Sequence, residues 1–338
     1  MNRRTFTGGL ALVLLAAVAP LWAAASLNGA GASFPYPLYS KWFDVYQKKT
    51  GVKINYQSIG SGGGIKQLKE KTVDFGASDA PLSAEEEKGM PGAVVHIPMA
   101  GGAVAVILNV KGVTKPIHLD SASLAGIFLG KITDWNDKTI AGCNPGVTLP
   151  AQKITVVHRS DGSGTTYIFT DYVEDISAEW KTNVGKGKSV KWPCGVGAKG
   201  NEGVAQMVKE TPGAIGYAEL AYSVQNKLVF ATLKNRAGQW VAPSLKSTTA
   251  AIDAAAKTLK ANIKASVVNQ PGAASYPIVG VTYILAYTNQ ADKEKGAALK
   301  ALLNWANTSG QEYCDDLLYA ALPAALVAQN KDAIASIK

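Results

Sequence analysis

The chain has 338 residues, of which 47% are hydrophobic and 17% charged, a balance typical of a globular protein and not of a disordered one. Its formal net charge is +9, but the basic residues are spread along the chain without a polybasic run, which argues against nucleic-acid binding. We therefore expect a globular chain of one or two domains, with no nucleic acid among its partners.

The first 25 residues have the pattern of a cleaved signal peptide. Arg3 and Arg4 precede an apolar run from Leu10 to Leu21, and the alanines at 23–25 offer the small residues of a cleavage site. The run is too short to favour a membrane span, and no cysteine follows it to receive a lipid. The paired arginines leave both the general secretory and the twin-arginine routes open. We expect an exported, soluble chain without a lipid anchor.

Predicted strands and helices alternate along the rest of the chain. Helices are predicted from Pro35 to Gly51, over 65–73, after a capping box of Ser83 and Glu86, and over 121–128, 167–172, 249–267 and 296–309. Strands are predicted at 52–57, near Phe75, over 94–110 as one bent strand or two, and at 153–159 and 278–286. This alternation predicts an α/β fold with parallel or mixed sheets. A chain of this length divides into two lobes, with crossings near 99–104 and 274–282.

The cysteines and histidines do not form a metal-binding pattern. In an oxidising compartment, Cys143, Cys194 and Cys314 allow one disulfide and one free thiol. We expect Cys143 to pair with Cys194, because both lie in the middle of the chain; three unpaired thiols are the alternative. No cysteine spacing resembles a zinc site, and no histidine neighbours another candidate ligand, so neither a metal nor a cofactor is expected.

Three short loops have the composition of anion-binding turns. They are Ser33-Phe34, Gly60 to Gly64, and Gly162 to Thr165, and each follows a predicted strand or opens a predicted helix. The first turn of a helix has unpaired N–H groups, and glycine lets the backbone approach a ligand closely. Each loop alone is indistinguishable from an ordinary turn. The loop at 60–64 lacks the Gly-Lys-Ser/Thr ending of a nucleotide-binding loop, and neither Ser61 nor Ser163 lies in Gly-x-Ser-x-Gly, which argues against an ATPase and a serine hydrolase.

Several longer blocks resemble one family. They are Gly29-Ala-Gly-Ala-Ser-Phe-Pro35, Val73-Asp-Phe-Gly-Ala-Ser-Asp-Ala-Pro-Leu-Ser83, Arg159-Ser-Asp-Gly-Ser-Gly-Thr165 and Pro212-Gly-Ala-Ile-Gly-Tyr217. The chain closely resembles the phosphate-binding proteins of bacterial high-affinity phosphate ABC transporters, from about Ser26 to about Leu322. The resemblance implies a two-lobe periplasmic-binding-protein fold, type II-like, with mixed sheets and a hinge. Lobe 1 would comprise 26–101 and 276–338, and lobe 2 would comprise 102–275.

The resemblance also implies a function and a set of ligand-binding residues. A periplasmic monomer would bind inorganic phosphate between its lobes and deliver it to an inner-membrane ABC permease, without catalysis. Asp161 would support the site as the salt-bridge partner of an arginine. The residues that match the family's phosphate contacts are Ser33, Phe34, Ser61 and Asp79 in lobe 1, and Arg159, Ser163, Gly164 and Thr165 in lobe 2.

Asp79 would distinguish phosphate from sulfate. A carboxylate repels most anions, but it can accept a hydrogen bond from the proton of monohydrogen phosphate, which sulfate lacks. Sites of this type reject a mismatched analogue by roughly 10⁴–10⁵-fold. Three positions depart from the family: Ser33 where threonine is frequent, Gly62 where a second serine can occur, and His158 where an arginine can occur. We expect His158 to point away from the ligand, because neighbours on a strand face opposite sides.

Two other functions remain open from the residues alone. A phosphatase or phosphotransferase could use Asp79 or Ser163, but it would need a metal cluster or a nearby base, and the sequence shows neither. The same fold could instead bind sulfate, molybdate or tungstate. Asp79 argues against a fully deprotonated ligand of that kind.

Overall fold

The computed structural model describes residues 26–113 and 116–338. The predicted signal peptide, 1–25, lies outside the described residues. Within them, no helix combines the length and the apolar character that a membrane crossing requires.

Strands and helices alternate as predicted. The strands are β1 (Ser26–Gly31), β2 (Lys53–Ser58), β3 (Phe75–Ser78), β4 (Val94–Leu108), β5 (His118–Leu119), β6 (Thr155–Arg159), β7 (Val196–Ala198), β8 (Ala214–Glu219), β9 (Val229–Phe230), β10 (Thr232–Lys234), β11 (Trp240–Val241) and β12 (Val279–Tyr287). The helices are α1 (Tyr36–Thr50), α2 (Ser61–Lys69), α3 (Ala84–Lys88), α4 (Ser121–Phe128), α5 (Lys138–Cys143), α6 (Gly164–Ile176), α7 (Ala178–Asn183), α8 (Gly200–Glu210), α9 (Leu220–Gln225), α10 (Leu245–Ala261), α11 (Lys293–Ala306) and α12 (Ala324–Ala335). Two 3₁₀ turns, Ser309–Tyr313 and Asp315–Leu317, lie between α11 and α12.

The main sheet is mixed, as the alternation predicted. Its strand order is β2-β1-β3-β12-β4-β8-β6-β7, and β9 also pairs with β4. β1 runs parallel to β2 and β3, and β6 runs parallel to β7 and β8. β12 and β4 lie between these two groups and run antiparallel to their neighbours. We call β1, β2 and β3 the first strand group and β6, β7 and β8 the second strand group.

The ends of several helices follow local capping signals. The predicted starts of two of these helices were wrong. The Ser83–Glu86 capping box is present, with each side chain accepting from the other residue's N–H. Helix α10 was predicted over 249–267 but begins at residue 245, because Ser244 caps it, and it ends before Asn262. Helix α11 likewise begins three residues earlier than predicted, because Asp292 accepts from two N–H groups of its first turn. Helices α5, α7, α8, α9 and α12 were not predicted.

The segment 94–110, for which one strand or two remained open, forms one strand. β4 pairs with β12 over Val94–Ala103 and with β8 over Val104–Leu108, so one continuous strand connects the two strand groups. Its glycines are required by packing. A Cβ on Gly102 would lie 2.5 Å from the ring of Phe34, and one on Gly101 would lie 2.5 Å from Ile252. The glycine pair thus leaves room for Phe34 against the strand.

The carboxyl ends of the two strand groups position the candidate site. Because neighbouring parallel strands end at one edge of a sheet, the segments that follow β1, β2 and β3 lie together. These segments are 32–34, 59–61 and 79–80. At the carboxyl ends of the second strand group, the residues that lie together are 160–165, 199–201 and Glu219.

The predicted Cys143–Cys194 disulfide is wrong, and all three cysteines are free thiols. The sulfur of Cys143 lies 3.7 Å from Ser123 Oγ, near the start of α4, whereas Cys194 lies 3.6 Å from the carbonyl of Phe128 at its end. Five residues of helix separate those contacts by about 7.5 Å. A disulfide needs its two sulfurs about 2 Å apart.

Candidate functional site

The two strand groups meet through glycine-rich backbone. Gly62 N donates to Gly162 O at 2.8 Å, and Gly164 N donates to Ser61 Oγ at 3.0 Å. A Cβ on Gly164 would lie 2.5 Å from Asp79 Oδ2 and 2.6 Å from Ser61 Oγ. All the site residues predicted from the sequence therefore lie in or beside one buried contact between the two groups.

The same contact explains the glycine at 62. A Cβ there would lie 3.0 Å from Gly162 Cα, which is tighter than nearly all such contacts. At Gly60, φ is +83°, and a Cβ would lie 2.2 Å from Asp161 Oδ2. The residues between β2 and α2 can lie this close to those after β6 only because both segments are glycine-rich.

Asn201, to which the sequence analysis assigned no role, joins the two groups. Its Nδ2 donates to Ser33 Oγ at 2.9 Å and to Thr165 Oγ1 at 3.0 Å, while its Oδ1 accepts from Glu219 N at 2.9 Å. Asn201 is fully buried. It opens α8 directly after Gly200, whose φ of +73° requires glycine. That Gly-Asn pair at a helix start was the available signal.

The hydroxyl protons of three site residues are available to donate to a ligand. Ser33 Oγ and Thr165 Oγ1 accept from Asn201, and Ser163 Oγ accepts from a backbone N–H in the first turn of α6 at 3.0 Å. None of the three donates to an acceptor among the residues that the structure describes. A hydroxyl whose oxygen already accepts is oriented to donate. The site therefore presents several O–H donors.

Backbone N–H groups add to this set of donors. The N–H groups of Phe34, Ser61 and Thr165 have no acceptor within the described parts of the chain. Ser61 and Thr165 lie in the first turns of α2 and α6, where the helix supplies no acceptor. Gly164 N, by contrast, donates to Ser61 Oγ. Two helix starts and one loop thus direct N–H groups and partial positive charge into the site.

Asp79 is the acceptor among these donors. It is 3% exposed, and its Oδ1 accepts from Thr282 Oγ1 at 2.8 Å, while its Oδ2 lies 3.5 Å from Ser61 Oγ. Burial raises the pKa of Asp79 to about 7, against the opposing effects of the Thr282 hydrogen bond, the Arg159 charge and the Ser61 hydroxyl. Its ionised form therefore depends on donors around it.

Arg159 and Asp161 form a buried pair, as the resemblance implied. Arg159 Nε donates to Asp161 Oδ1 at 2.7 Å and Nη2 donates to Oδ2 at 2.5 Å. The third contact of the guanidinium is Nη1 with Thr165 Oγ1, at 3.4 Å. Of the five N–H donors of an arginine, two then have no partner among the described residues. Despite partial burial, the pKa of Asp161 is lowered, by its hydrogen bond to Arg159 above all and by the charge of that residue.

His158 lies outside the site, as predicted. Its ring stacks on Trp192 at a centroid distance of 4.7 Å and an interplanar angle of 9°. The alternation of side chains along β6 separates it from Arg159.

Two ion pairs also connect the segments on either side of the contact. Lys188 Nζ lies 2.6 Å from Glu86 Oε2, and Lys264 pairs with Glu87. Both acids belong to α3, which the Ser83 capping box begins. The lysines come from the residues after α7 and after α10. These pairs bridge the surface next to the buried contact.

A second buried carboxyl group, Glu219, lies behind Ser33 and Phe34. The Tyr319 hydroxyl is 2.7 Å from Phe34 O and 3.0 Å from Glu219 Oε2, but it has one proton for two acceptors. A carbonyl cannot donate, so a proton on Glu219 completes both contacts. Burial raises the pKa of Glu219 well above its usual value, against the opposing effects of the Tyr319 hydrogen bond and of the Ala221 N–H that donates to Oε2. Its Oε1 has no hydrogen-bond partner among the described residues.

Glu219→Gln is expected to make the protein less sensitive to alkaline pH. Because the folded state holds this proton more tightly than the unfolded state, its contribution is complete below about pH 4.3 and is lost as pH rises toward the raised pKa. Thermal melts of both proteins from pH 5 to 9 would show a fall in Tm with pH that is smaller by about 2 °C or more in the variant. Parallel curves would contradict a protonated Glu219.

No group of three or more His, Cys, Asp or Glu side chains is placed to hold a metal ion in residues 26–113 and 116–338. The chemistry of the site is therefore set by O–H and N–H donors, one arginine and one acceptor carboxylate. This combination suits a small oxyanion that carries at least one proton.

The chain is similar in sequence to known binding proteins. The model of the PBP superfamily domain matches residues 18–309. The chain is 47% identical to the phosphate-binding protein PstS of Xylella fastidiosa, over 90% of this chain and 83% of the relative. It is 45% identical to the phosphate-binding protein PstS of Haemophilus influenzae, over 94% of this chain and 95% of the relative. These relatives are named as binding proteins, in agreement with the prediction that the chain is not an enzyme.

A solved structure has the same fold. The high-affinity periplasmic phosphate-binding protein PfluDING, solved with bound phosphate, has a TM-score of 0.75 and 24% identity to this chain, covering 91% of this chain and 93% of its own. The likeness confirms the predicted two-lobe fold of the periplasmic binding proteins.

Proposed function

The chain belongs to the PstS family of phosphate-binding proteins, and from that premise we propose that it binds one inorganic phosphate ion between its two lobes and delivers it to an ABC permease. The observation that carries the proposal is the set of unused donors around one buried acceptor. Hydroxyl protons of three residues and two guanidinium N–H groups lack acceptors among the described residues, and Asp79 lies beside them. A tetrahedral anion with one proton matches this set.

Each lobe supplies part of the phosphate site. From lobe 1, Ser33 donates its hydroxyl proton, and Phe34 and Ser61 donate their N–H groups. From lobe 2, Arg159 donates through its two free N–H groups, and Ser163 and Thr165 donate from the start of α6. Gly164, whose N–H donates to Ser61 Oγ in this structure, lies against the ligand between them. Asp79 accepts the proton of the ligand.

The lobe boundaries remain as the sequence predicted them: 26–101 with 276–338, and 102–275. The change of partner along β4, from β12 to β8 between Ala103 and Val104, supports a crossing near this point. A ligand held from both lobes favours the closed arrangement, because only that arrangement offers all the donors at once. The ion pairs of Glu86 and Glu87 support closure from the rim.

We propose that the protein is a periplasmic monomer without a lipid anchor. It uses no cofactor and passes phosphate to an inner-membrane permease complex. The signal-peptide pattern at 1–25 and the name of the solved periplasmic neighbour support the location.

Calorimetric titration of the purified protein tests the ligand. We expect tight binding of phosphate, competition by arsenate, which has the same shape and also carries a proton near neutral pH, and negligible heat with sulfate. The difference between phosphate and sulfate should be roughly 10⁴-fold or more. Equal binding of sulfate and phosphate would refute the proposed ligand.

A further inference from the structure

The two oxygens of Asp79 have different surroundings. Oδ1 accepts from Thr282 Oγ1 at 2.8 Å, whereas Oδ2 lies next to Gly164 and 3.5 Å from Ser61 Oγ. Thr282 is fully buried. Oδ1 is therefore held by a short hydrogen bond from the protein, whereas Oδ2, with only the long contact to Ser61 Oγ, faces the contact between the lobes.

The pairing of β12 with β3 places Thr282 at Asp79. Along β12, Thr282 pairs with Ala100 and Tyr283 pairs with Pro98, so the register shifts by one residue of β4 between them. Tyr283 also pairs with Ser78, the last residue of β3. Thr282 is thus the first residue of β12 beyond the end of β3, where Asp79 follows. The extra residue at this shift is Met99 of β4, so the irregularity belongs to β4, and β12 continues without one.

We propose that Thr282 is a positioning residue that sets the preference for phosphate over sulfate. This inference rests on the proposed function. By donating to Oδ1, Thr282 holds the carboxylate in one orientation and leaves Oδ2 as the single acceptor for the proton of the ligand. It also stabilises the ionised form of Asp79, which burial disfavours.

Loss of this donor has a definite chemical consequence. An Asp79 that took up a proton would become a donor at the position where the site needs an acceptor. Monohydrogen phosphate would then meet a competing donor, whereas fully deprotonated sulfate would gain one. The affinity for phosphate should fall and that for sulfate should rise, a pattern that general damage to the fold would not produce.

The test compares Thr282→Val, which keeps the shape of the side chain, with Thr282→Ser, which keeps the hydroxyl. Calorimetry with phosphate and with sulfate should show the ratio of their affinities reduced by about 10- to 100-fold in the valine variant. The serine variant should keep the ratio within about threefold of the unchanged protein. Thr282→Ala gives the same comparison if the valine variant does not fold.

The outcomes separate this inference from the proposed function. An unchanged ratio in the valine or alanine variant, or a reduced ratio that serine fails to restore, would overturn the role of Thr282 while leaving phosphate binding intact. If the unchanged protein bound no phosphate, both the proposed function and the role of Thr282 would be wrong.

Discussion

Replacing Asp79 with asparagine should reduce the difference in affinity between phosphate and sulfate by about 100-fold or more. The carboxylate accepts at Oδ2, whereas the asparagine amide brings an N–H₂ group that donates to sulfate and opposes the proton of phosphate. A buried polar group without a partner costs about 1–3 kcal/mol, and here the change acts on both ligands in opposite directions. Calorimetry with the two anions, for both proteins, measures the ratio.

A matched control separates this effect from the loss of one negative charge. Asp171 is also a buried acid, within α6, but it pairs with Lys186 at 2.7 Å, and its side chain makes no hydrogen bond to a predicted site residue among those described. Asp171→Asn should leave the ratio of phosphate to sulfate affinity unchanged. If Asp79→Asn also left it unchanged, the acceptor role of Asp79 would be refuted.

Gly164→Ala should weaken phosphate binding by about 10- to 100-fold while the unliganded protein keeps its thermal stability. The added methyl group would meet Asp79 Oδ2 at 2.5 Å and Ser61 Oγ at 2.6 Å, and both atoms belong to the opposite lobe. Overpacking of this kind costs about 1–3 kcal/mol. Under the proposed closure of the lobes on the ligand, the clash arises only in the closed arrangement, so we expect it to oppose binding and not folding.

Titration calorimetry and thermal melts measure the two halves of this prediction. Gly142→Ala is the control, because a Cβ at Gly142, within α5, meets nothing within 4 Å. That variant should bind phosphate like the unchanged protein. Binding by Gly164→Ala within about threefold of the unchanged protein would show that the lobes do not close on this glycine.

Local sequence signals determined much of the secondary structure. The capping box of Ser83 and Glu86 lies where the sequence predicted it, and α4 spans 121–128 as predicted, with Asp120 as its cap. Each depends on atoms within a few residues of one another, so the chain specifies it without knowledge of the fold. Ser244 offered the same kind of signal, and the start predicted for α10 missed it.

The family likeness predicted the site residues, but it did not predict the residues that surround them. Asn201 contacts Ser33 across 168 positions of the chain, and Thr282 contacts Asp79 across 203. Nothing near Thr282 in the sequence marks it, because its position beside Asp79 depends on the register in which β12 pairs with β3. The Cys143–Cys194 prediction failed for a related reason. It relied on the position of both residues in the middle of the chain, but in the fold the two thiols contact opposite ends of α4.

The sequence by itself determined the alternation of strands and helices, the glycine-rich loops and the presence of one acid among donor residues. The tertiary structure decided which hydroxyl and N–H groups have no acceptor among the described residues. It also decided which oxygen of Asp79 faces the contact between the lobes and which glycines lie at that contact. The physical reason is distance: a cap joins atoms a few residues apart, whereas the environment of Asp79 is assembled from β3, β12 and α6 only after the sheet has formed.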